Sequence, residues 1–312
     1  MLPKRGKGWV ADDPDFMTAN ARPVATPRSG VIILGSRTVV PFVLLAPGVF
    51  LVMLVILYPL ARLIVESIGL PINFHDYTAV AADPTFWRII AITFEIAAES
   101  TVATLVLGYP LAYLMAGVNR RKANILLLFV LVPFWTSILV RMYAWMALLG
   151  PHGPINEVAM AVTGARVPYH LLYDRFAVIV GMTHYLLPFM VLSLYATMLG
   201  IDRRLLEAAH SMGSSERQVF ARIFFPLSLP GVYAGSLLVF ILAIGFYVTP
   251  ALLGGPADTT MAVYIEQEVE LLEWGHATAM AVVLIAIVVF LFVLYDRVLG
   301  FNRLFRGMNR AG

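Results

Sequence analysis

An all-α integral membrane protein with six spanning helices is the fold class that the sequence predicts, on three observations. The 312 residues are 60% hydrophobic and only 13% charged, whereas a soluble globular domain carries about 25% charged residues. Six apolar runs of 19–30 residues recur along the chain, and a helix needs roughly 17–25 residues to cross a hydrocarbon core about 30 Å thick. Basic residues gather in alternate loops between these runs. Together these features exclude a water-soluble enzyme.

The runs occupy 39–61, 89–118, 125–149, 176–199, 224–253 and 277–295, about half the chain. Four contain no Asp, Glu, Lys or Arg; the second holds Glu95 and Glu99 and the third Arg141. A spanning helix satisfies its own backbone hydrogen bonds, so Pro47, Pro59, Pro110, Pro133 and Pro188 are expected to kink these helices rather than end them. Of the 22 Lys and Arg residues, 17 lie in two tails and two loops: Lys4, Arg5, Lys7, Arg22, Arg28 and Arg37, then Arg120, Arg121 and Lys122, then Arg203, Arg204, Arg217 and Arg222, and last Arg297, Arg303, Arg306 and Arg310. Only Arg88, Arg166 and Arg175 occupy the opposite loops. The positive-inside rule therefore predicts that both termini and the even-numbered loops are cytoplasmic.

Residues 1–38 are too long, too polar and too acidic at Asp12, Asp13 and Asp15 for a signal peptide. They read as a cytoplasmic tail, disordered or lying on the membrane surface. Residues 39–299 form one membrane domain and 300–312 a second cytoplasmic tail. The net charge of +3 then records topology rather than nucleic-acid binding. The absence of cysteine excludes disulfides and thiolate metal sites, and the histidines have no metal-ligand spacing.

The fourth loop, 200–225, carries the most information. Five residues would join two spans, yet here some twenty are patterned. IDRRLLEAAHSM has helical spacing, with Ile201, Leu205, Ala208 or Ala209 and Met212 on one face. Gly213 is placed to end that helix, and Ser215 with Gln218 reads as a capping box that starts another. The pattern predicts two short helices meeting at a glycine bend. On pattern alone they could simply rest on the membrane interface.

The segment EAAHSMGSSERQVFARIFFPLSLPG resembles the EAA signature of permease subunits of binding-protein-dependent ABC importers. Glu207, Ala208, Ala209, Gly213, Ile223 and Pro226 occupy the signature positions, with Phe225 where the family usually has Leu. The resemblance implies the type I ABC importer permease fold and residence in a bacterial inner membrane. It implies that this loop docks as a coupling helix into a groove on an ABC ATPase dimer. It also implies a second, homologous but different permease subunit and a periplasmic solute-binding protein as partners. ATP and Mg belong, on this resemblance, to the ATPase, leaving no cofactor, metal or catalytic residue here. The residue types suit docking: Ala208 and Ala209 permit close approach, Glu207 can pair with a basic group and Gly213 sets the angle.

What the sequence lacks agrees with that division of labour. There is no GxxxxGK[ST] phosphate loop, and Lys occurs only at 4, 7 and 122. HExxH and GxSxG are also absent. The chain reads as a transporter subunit, not an enzyme.

Two further stretches narrow the subgroup. PFWTSILVRMYAWMALLG at 133–150 and YVTPALLGGP at 247–256 resemble the spermidine/putrescine branch of these permeases. Relatives with similar spans serve iron, 4-aminobutyrate, opines and other small ions, so the resemblance implies a polyamine or related amine without excluding those.

Ionisable groups inside a bilayer are costly unless paired or wet. Glu95 and Glu99 share one face of the second span, roughly 9 and 15 Å from its outer end at 1.5 Å per residue, and Arg141 lies roughly 12 Å from the same surface. The matching depths predict an ion pair between Arg141 and one glutamate. The other glutamate would then support a cationic solute, alongside the aromatic faces of Trp135, Tyr143 and Trp145 and with Tyr247 as a further pathway candidate. Those aromatics could equally be packing. The fifth loop carries Asp258, Glu266, Glu268, Glu270 and Glu273 and no basic residue. A solvated helix face explains these acids as well as a cation-attracting pore mouth does, although Met261, Tyr264, Ile265, Leu272 and Trp274 suggest a helix dipping towards the mouth. His184, mid-span, is expected to be hydrogen-bonded to a neighbour. A secondary transporter would show an internal repeat with paired broken helices, and none is visible; a structural or assembly protein would not need the patterned loop.

Overall fold

The computed structural model describes residues 36–69, 74–165 and 167–299. The expectations for 1–35 and 300–312 fall outside this range. The described chain is helical, and five helices are long and apolar enough to cross a membrane; a bent pair makes a sixth. The helices are α1 (Ser36–Ile68), α2 (His75–Ala82), α3 (Pro84–Gly117), α4 (Arg120–Leu131), α5 (Ile138–Leu149), α6 (Pro154–Thr163), α7 (Arg175–Leu199), α8 (Arg203–Ser211), α9 (Glu216–Val219), α10 (Phe225–Ile244), α11 (Val248–Leu253), α12 (Met261–Glu270) and α13 (Trp274–Leu299).

The chain divides into two compact units, Met1–Tyr58 and Pro59–Gly312. In the first, the side chains from Leu45 to Tyr58 are all exposed, a surface that only an apolar environment suits. The second unit is built on α3, α7 and α10, which pack against one another. Met182, Leu186, Met190, Leu194 and Met198 recur every fourth residue along α7 and are almost fully buried, forming one seam of a helix that is apolar all round. Opposite them, Gly231 and Gly235 on α10 have the small-xxx-small spacing that lets helix backbones approach closely. A Cβ on Gly231 would lie 2.7 Å from Thr197 Cβ and Oγ1, and one on Gly235 would lie 2.9 Å from Met190 Sδ.

Two expected spans are broken. The run 125–149 is not one helix: a 3-10 turn at Val132–Trp135 follows α4, Thr136 and Ser137 are extended, and α5 departs in a new direction. The two halves are bent by 96°. Pro133 lacks an N–H to donate, and the Thr136 backbone N–H and Oγ1 both turn back to the Pro133 carbonyl, so the proline ends the helix instead of kinking it. The run 224–253 likewise stops at Ile244, passes through Gly245, Phe246 and Tyr247, and resumes as α11. Pro110 and Pro188 do sit inside continuous helices.

Two short helices fall outside both the apolar runs and the loop helices that the sequence predicts. One is α2, which packs on α3 and α13. The other is α6, positioned by Asn156, a fully buried side chain bonded to the Leu149, Gly150 and Tyr169 carbonyls and to the Tyr169 N–H. Buried amides of this kind are retained because each donor and acceptor finds a partner.

Candidate pathway and coupling surfaces

The fourth loop folds as its caps dictate. Asp202 accepts from the Arg204 N–H to start α8. Gly213, at φ +84°, takes the left-handed conformation that ends it, with the Gly213 and Ser214 N–H groups returning to the His210 and Ala209 carbonyls. Ser215 and Gln218 form the reciprocal capping box of α9. A π-helical turn, Phe220–Phe224, then joins α9 to α10. Its rings pack edge-on against Tyr113 of α3, and Arg203 donates to the Ala116 carbonyl at 2.8 Å. That contact places a cation on the negative end of α3 and ties the elbow to it.

The apolar face expected of α8 is divided. Ala209 is buried and Ile201 half-buried, with Leu206 beside them, while Leu205, Ala208 and Met212 point outward, Met212 being 80% exposed. Within the helix, 206 and 209 lie on a different side from 205 and 208, while Ile201 precedes the helix and turns inward from the loop. Glu207 is exposed next to the outward group. It also lines a cavity of about 530 Å³ between the elbow and the ends of α3 and α7, together with Arg203, His210 and Glu216. Ile223 falls in the π-turn and Pro226 in the first turn of α10.

Arg141 does not pair with Glu95 or Glu99. Both carboxylates are bridged by Arg175, in the first turn of α7: Nη2 donates to Glu95 at 2.7 Å and Nε lies 3.1 Å from Glu99. Their depths in the span matched Arg141, but neighbourhood is decided by packing. The bend at Pro133 sends α5 onto α6, α7 and α11, whereas α3 runs along α7 and meets its N-terminus. The glutamates are 57% and 43% exposed, on the face of α3 opposite its buried Thr93, Ala97, Ser100 and Thr104. Arg175 was legible as one of three basic residues in the loops that otherwise lack them.

Arg141 sits in a second cluster. It is 9% exposed; Nη2 reaches the Thr136 carbonyl at 3.4 Å, the guanidinium lies 5.1 Å from the Tyr185 ring centre, and Nε has no hydrogen-bond partner. One turn on, Trp145 donates to His184 Nδ1 at 3.1 Å, the neighbour bond expected of that histidine. Trp135 and Tyr143 are exposed. The acidic pair and Arg141 are thus held in separate places.

The fifth-loop acids are likewise not one solvated face. Asp258 is 7% exposed, and burial raises its carboxyl pKa, with Arg175 opposing and Asp174 reinforcing the shift. Glu266 lies within electrostatic reach of Tyr247 at the break in the fifth span. Glu268 lies 3.4 Å from His276 and within electrostatic reach of Tyr264. Glu270 and Glu273 are exposed. Met261 is buried, its N–H donating to Thr93 Oγ1 at 2.8 Å, and Tyr264 and Ile265 pack on the same cluster. Leu272 and Trp274 remain exposed. Among the described residues no group of three His, Asp or Glu could hold a metal ion.

Comparison with known proteins matches this architecture. The spermidine/putrescine transport system permease protein PotB of Escherichia coli (strain K12) is 34% identical over 223 residues, 71% of this chain and 81% of that protein. PotB of Haemophilus influenzae is 32% identical, covering 73% and 79%, and the molybdenum transport permease ModB of Azotobacter vinelandii is 29% identical, covering 73% and 96%. Among solved structures, a bacterial alginate ABC transporter complex superposes with a TM-score of 0.70 at 18% identity, over 84% of this chain and 94% of that one. The inward-facing MetNI methionine ABC transporter gives 0.52 at 19%, over 70% and 97%. These likenesses fix the fold as that of ABC importer permeases. The family described as binding-protein-dependent transport system inner membrane component matches residues 108–301, so the elbow, the broken spans and α13 all fall within it, and the chain is an inner-membrane permease subunit belonging to that family.

Proposed function

We propose that this chain forms half of the membrane pathway of an ATP-driven importer that passes a polyamine or related amine from a periplasmic binding protein to the cytoplasm. Similarity to spermidine/putrescine permeases over most of the chain carries the reading. In it, both termini and the α8–α9 elbow face the cytoplasm, where Leu205, Ala208 and Met212 dock on an ATPase dimer that binds ATP and Mg. A different, homologous permease completes the pathway. Glu207, Ala208, Ala209, Gly213, Ile223 and Pro226 transmit the ATPase movement, and the contacts of Arg203 and Phe220 with α3 make the elbow a rigid handle.

Glu95 and Glu99 support an amine substrate for a physical reason. A bilayer does not tolerate carboxylates this exposed, so their face meets water or the partner subunit. An arriving ammonium group competes there with Arg175, and Trp135, Tyr143 and Tyr247 offer aromatic faces. Asp258, Glu266, Glu268, Glu270 and Glu273 add negative potential at the outer mouth.

The test is uptake of labelled spermidine and putrescine by the reassembled importer. Uptake is expected to need the ATPase and to be lost in Gly213→Val or Glu207→Ala while ATP hydrolysis continues; it should fall in Glu95→Gln or Glu99→Gln. Uptake that persists without the ATPase would overturn the importer reading. If neither amine is taken up, or both glutamine variants transport normally, the amine reading fails.

A further inference from the structure

We infer that Arg141 and His184 form a carboxylate-binding pair at the elbow of the broken third span, and that the carboxylate comes from outside this chain. The inference rests on the importer reading but not on the amine, because its evidence is the state of Arg141 itself. This residue is nine-tenths buried, carries a full charge, and has one long contact to a carbonyl and one aromatic face. Its Nε is buried and unbonded. Among the described residues no carboxylate pairs with it, since the two nearest in depth are taken by Arg175. A charge removed from water is costly, and residues of this kind inside spans pair with one another or with carbonyls or face a wet pathway; one long carbonyl contact leaves Arg141 with donors to spare.

The neighbouring histidine points to the same ligand. Trp145 can only donate, so His184 Nδ1 must accept, and the imidazole is neutral with its proton on Nε2. Arg141 and His184 lie within electrostatic reach of each other. The two side chains therefore offer N–H donors from the guanidinium and the imidazole, and the Thr136 carbonyl beside them already accepts from Arg141. A planar carboxylate suits that set, because a guanidinium binds it through two parallel bonds. An ammonium group or a metal ion is repelled by the guanidinium charge, whose nearby carbonyl and aromatic face are already engaged by Arg141 itself. The extended Thr136–Ser137 step just before α5 leaves the site at a break in the span, where irregular backbone is tolerated because it lines a cavity or is buried in protein.

Two sources can supply the carboxylate: the transported solute, or a side chain of the second permease. The experiment uses the full importer complex in nanodiscs, with wild type, Arg141→Gln and Arg141→Lys, and the matched four-carbon probes 4-aminobutyrate and putrescine, only the first of which has a carboxylate. Thermal unfolding with each probe and retention of the partner permease during purification are both read. If the solute supplies the group, 4-aminobutyrate stabilises the wild type and putrescine does not, and Arg141→Gln weakens the response by about tenfold or more in probe concentration. If the partner supplies it, Arg141→Gln sheds the partner permease, Arg141→Lys retains part of it, and neither probe matters. Should Arg141→Gln accumulate poorly, Arg141→Lys is read alone, since it keeps the charge but loses the fork. The inference is overturned if the variants keep the partner permease and respond to both probes as wild type does. Failure of the amine reading appears instead as absent polyamine uptake by the wild type, which leaves this comparison intact.

Discussion

Replacing Gly231 by Ala tests whether the α7–α10 seam is set by backbone approach. The new Cβ would lie 2.7 Å from Thr197 Cβ and Oγ1 and 3.3 Å from the Ser193 carbonyl. Carbon atoms pack at about 3.5–4.0 Å, so roughly 1 Å of room must be found. Thr197 cannot easily provide it: its Cβ is fixed to the α7 backbone, and its Oγ1 is bonded to the Ser193 carbonyl at 3.2 Å. The helices must separate instead, along a seam that holds Met190, Ser193 and Gly235. Overpacking of this kind costs about 1–3 kcal/mol, which outweighs the roughly 0.5–1 kcal/mol that Ala gains over Gly in a helix. Gly117→Ala provides the control, since nothing lies within 4 Å of its Cβ. The assay is the thermal unfolding midpoint of the purified complex in detergent, followed by loss of monodisperse material. Gly231→Ala should lower it, and Gly117→Ala should leave it unchanged or raise it slightly. If both variants melt alike, the glycine spacing does not set this interface.

Two other measurements probe the start of α3 and the segment before α12. Asp83→Ala removes the cap in which the side chain accepts from the Thr85 N–H at 2.8 Å; it should cost about 1 kcal/mol, seen as faster amide exchange confined to the first turn of α3. Because burial raises the Asp258 pKa, folding favours its protonated form. The resulting stability is full below the ordinary value of 3.8 and is lost as pH rises through the higher folded value. Asp258→Asn should therefore gain on the wild type in melting temperature as pH is raised from about 4 to 7. A difference that is constant or shrinks refutes the assignment.

Local chemistry was legible residue by residue. Gly213 ends α8, and Ser215 with Gln218 starts α9, because caps act over four residues and need no distant partner. The apolar runs marked the membrane helices for a similar reason, each being long enough to satisfy its own backbone in lipid. Pro133 shows where reading by position ran out. The same residue type is absorbed at Pro110 and Pro188 yet ends the helix at Pro133, where the hydroxyl of Thr136 and two extended residues supply an alternative set of hydrogen bonds. Splitting the apolar face of α8 also needed the fold, since Leu205 and Leu206 are chemically alike and only packing on the main hydrophobic core draws Leu206 inward.

Composition and local pattern were enough to show a helical membrane protein, the apolar runs that build its spans, and a capped two-helix elbow bearing the importer signature. Those properties follow from composition and from contacts a few residues apart. Only the tertiary structure decided which charges meet. Depth along a span can be counted from the sequence, but two helices at equal depth need not be neighbours. The α3–α7 packing gave Glu95 and Glu99 to Arg175, and the bend at Pro133 left Arg141 buried without a counter-ion among the described residues.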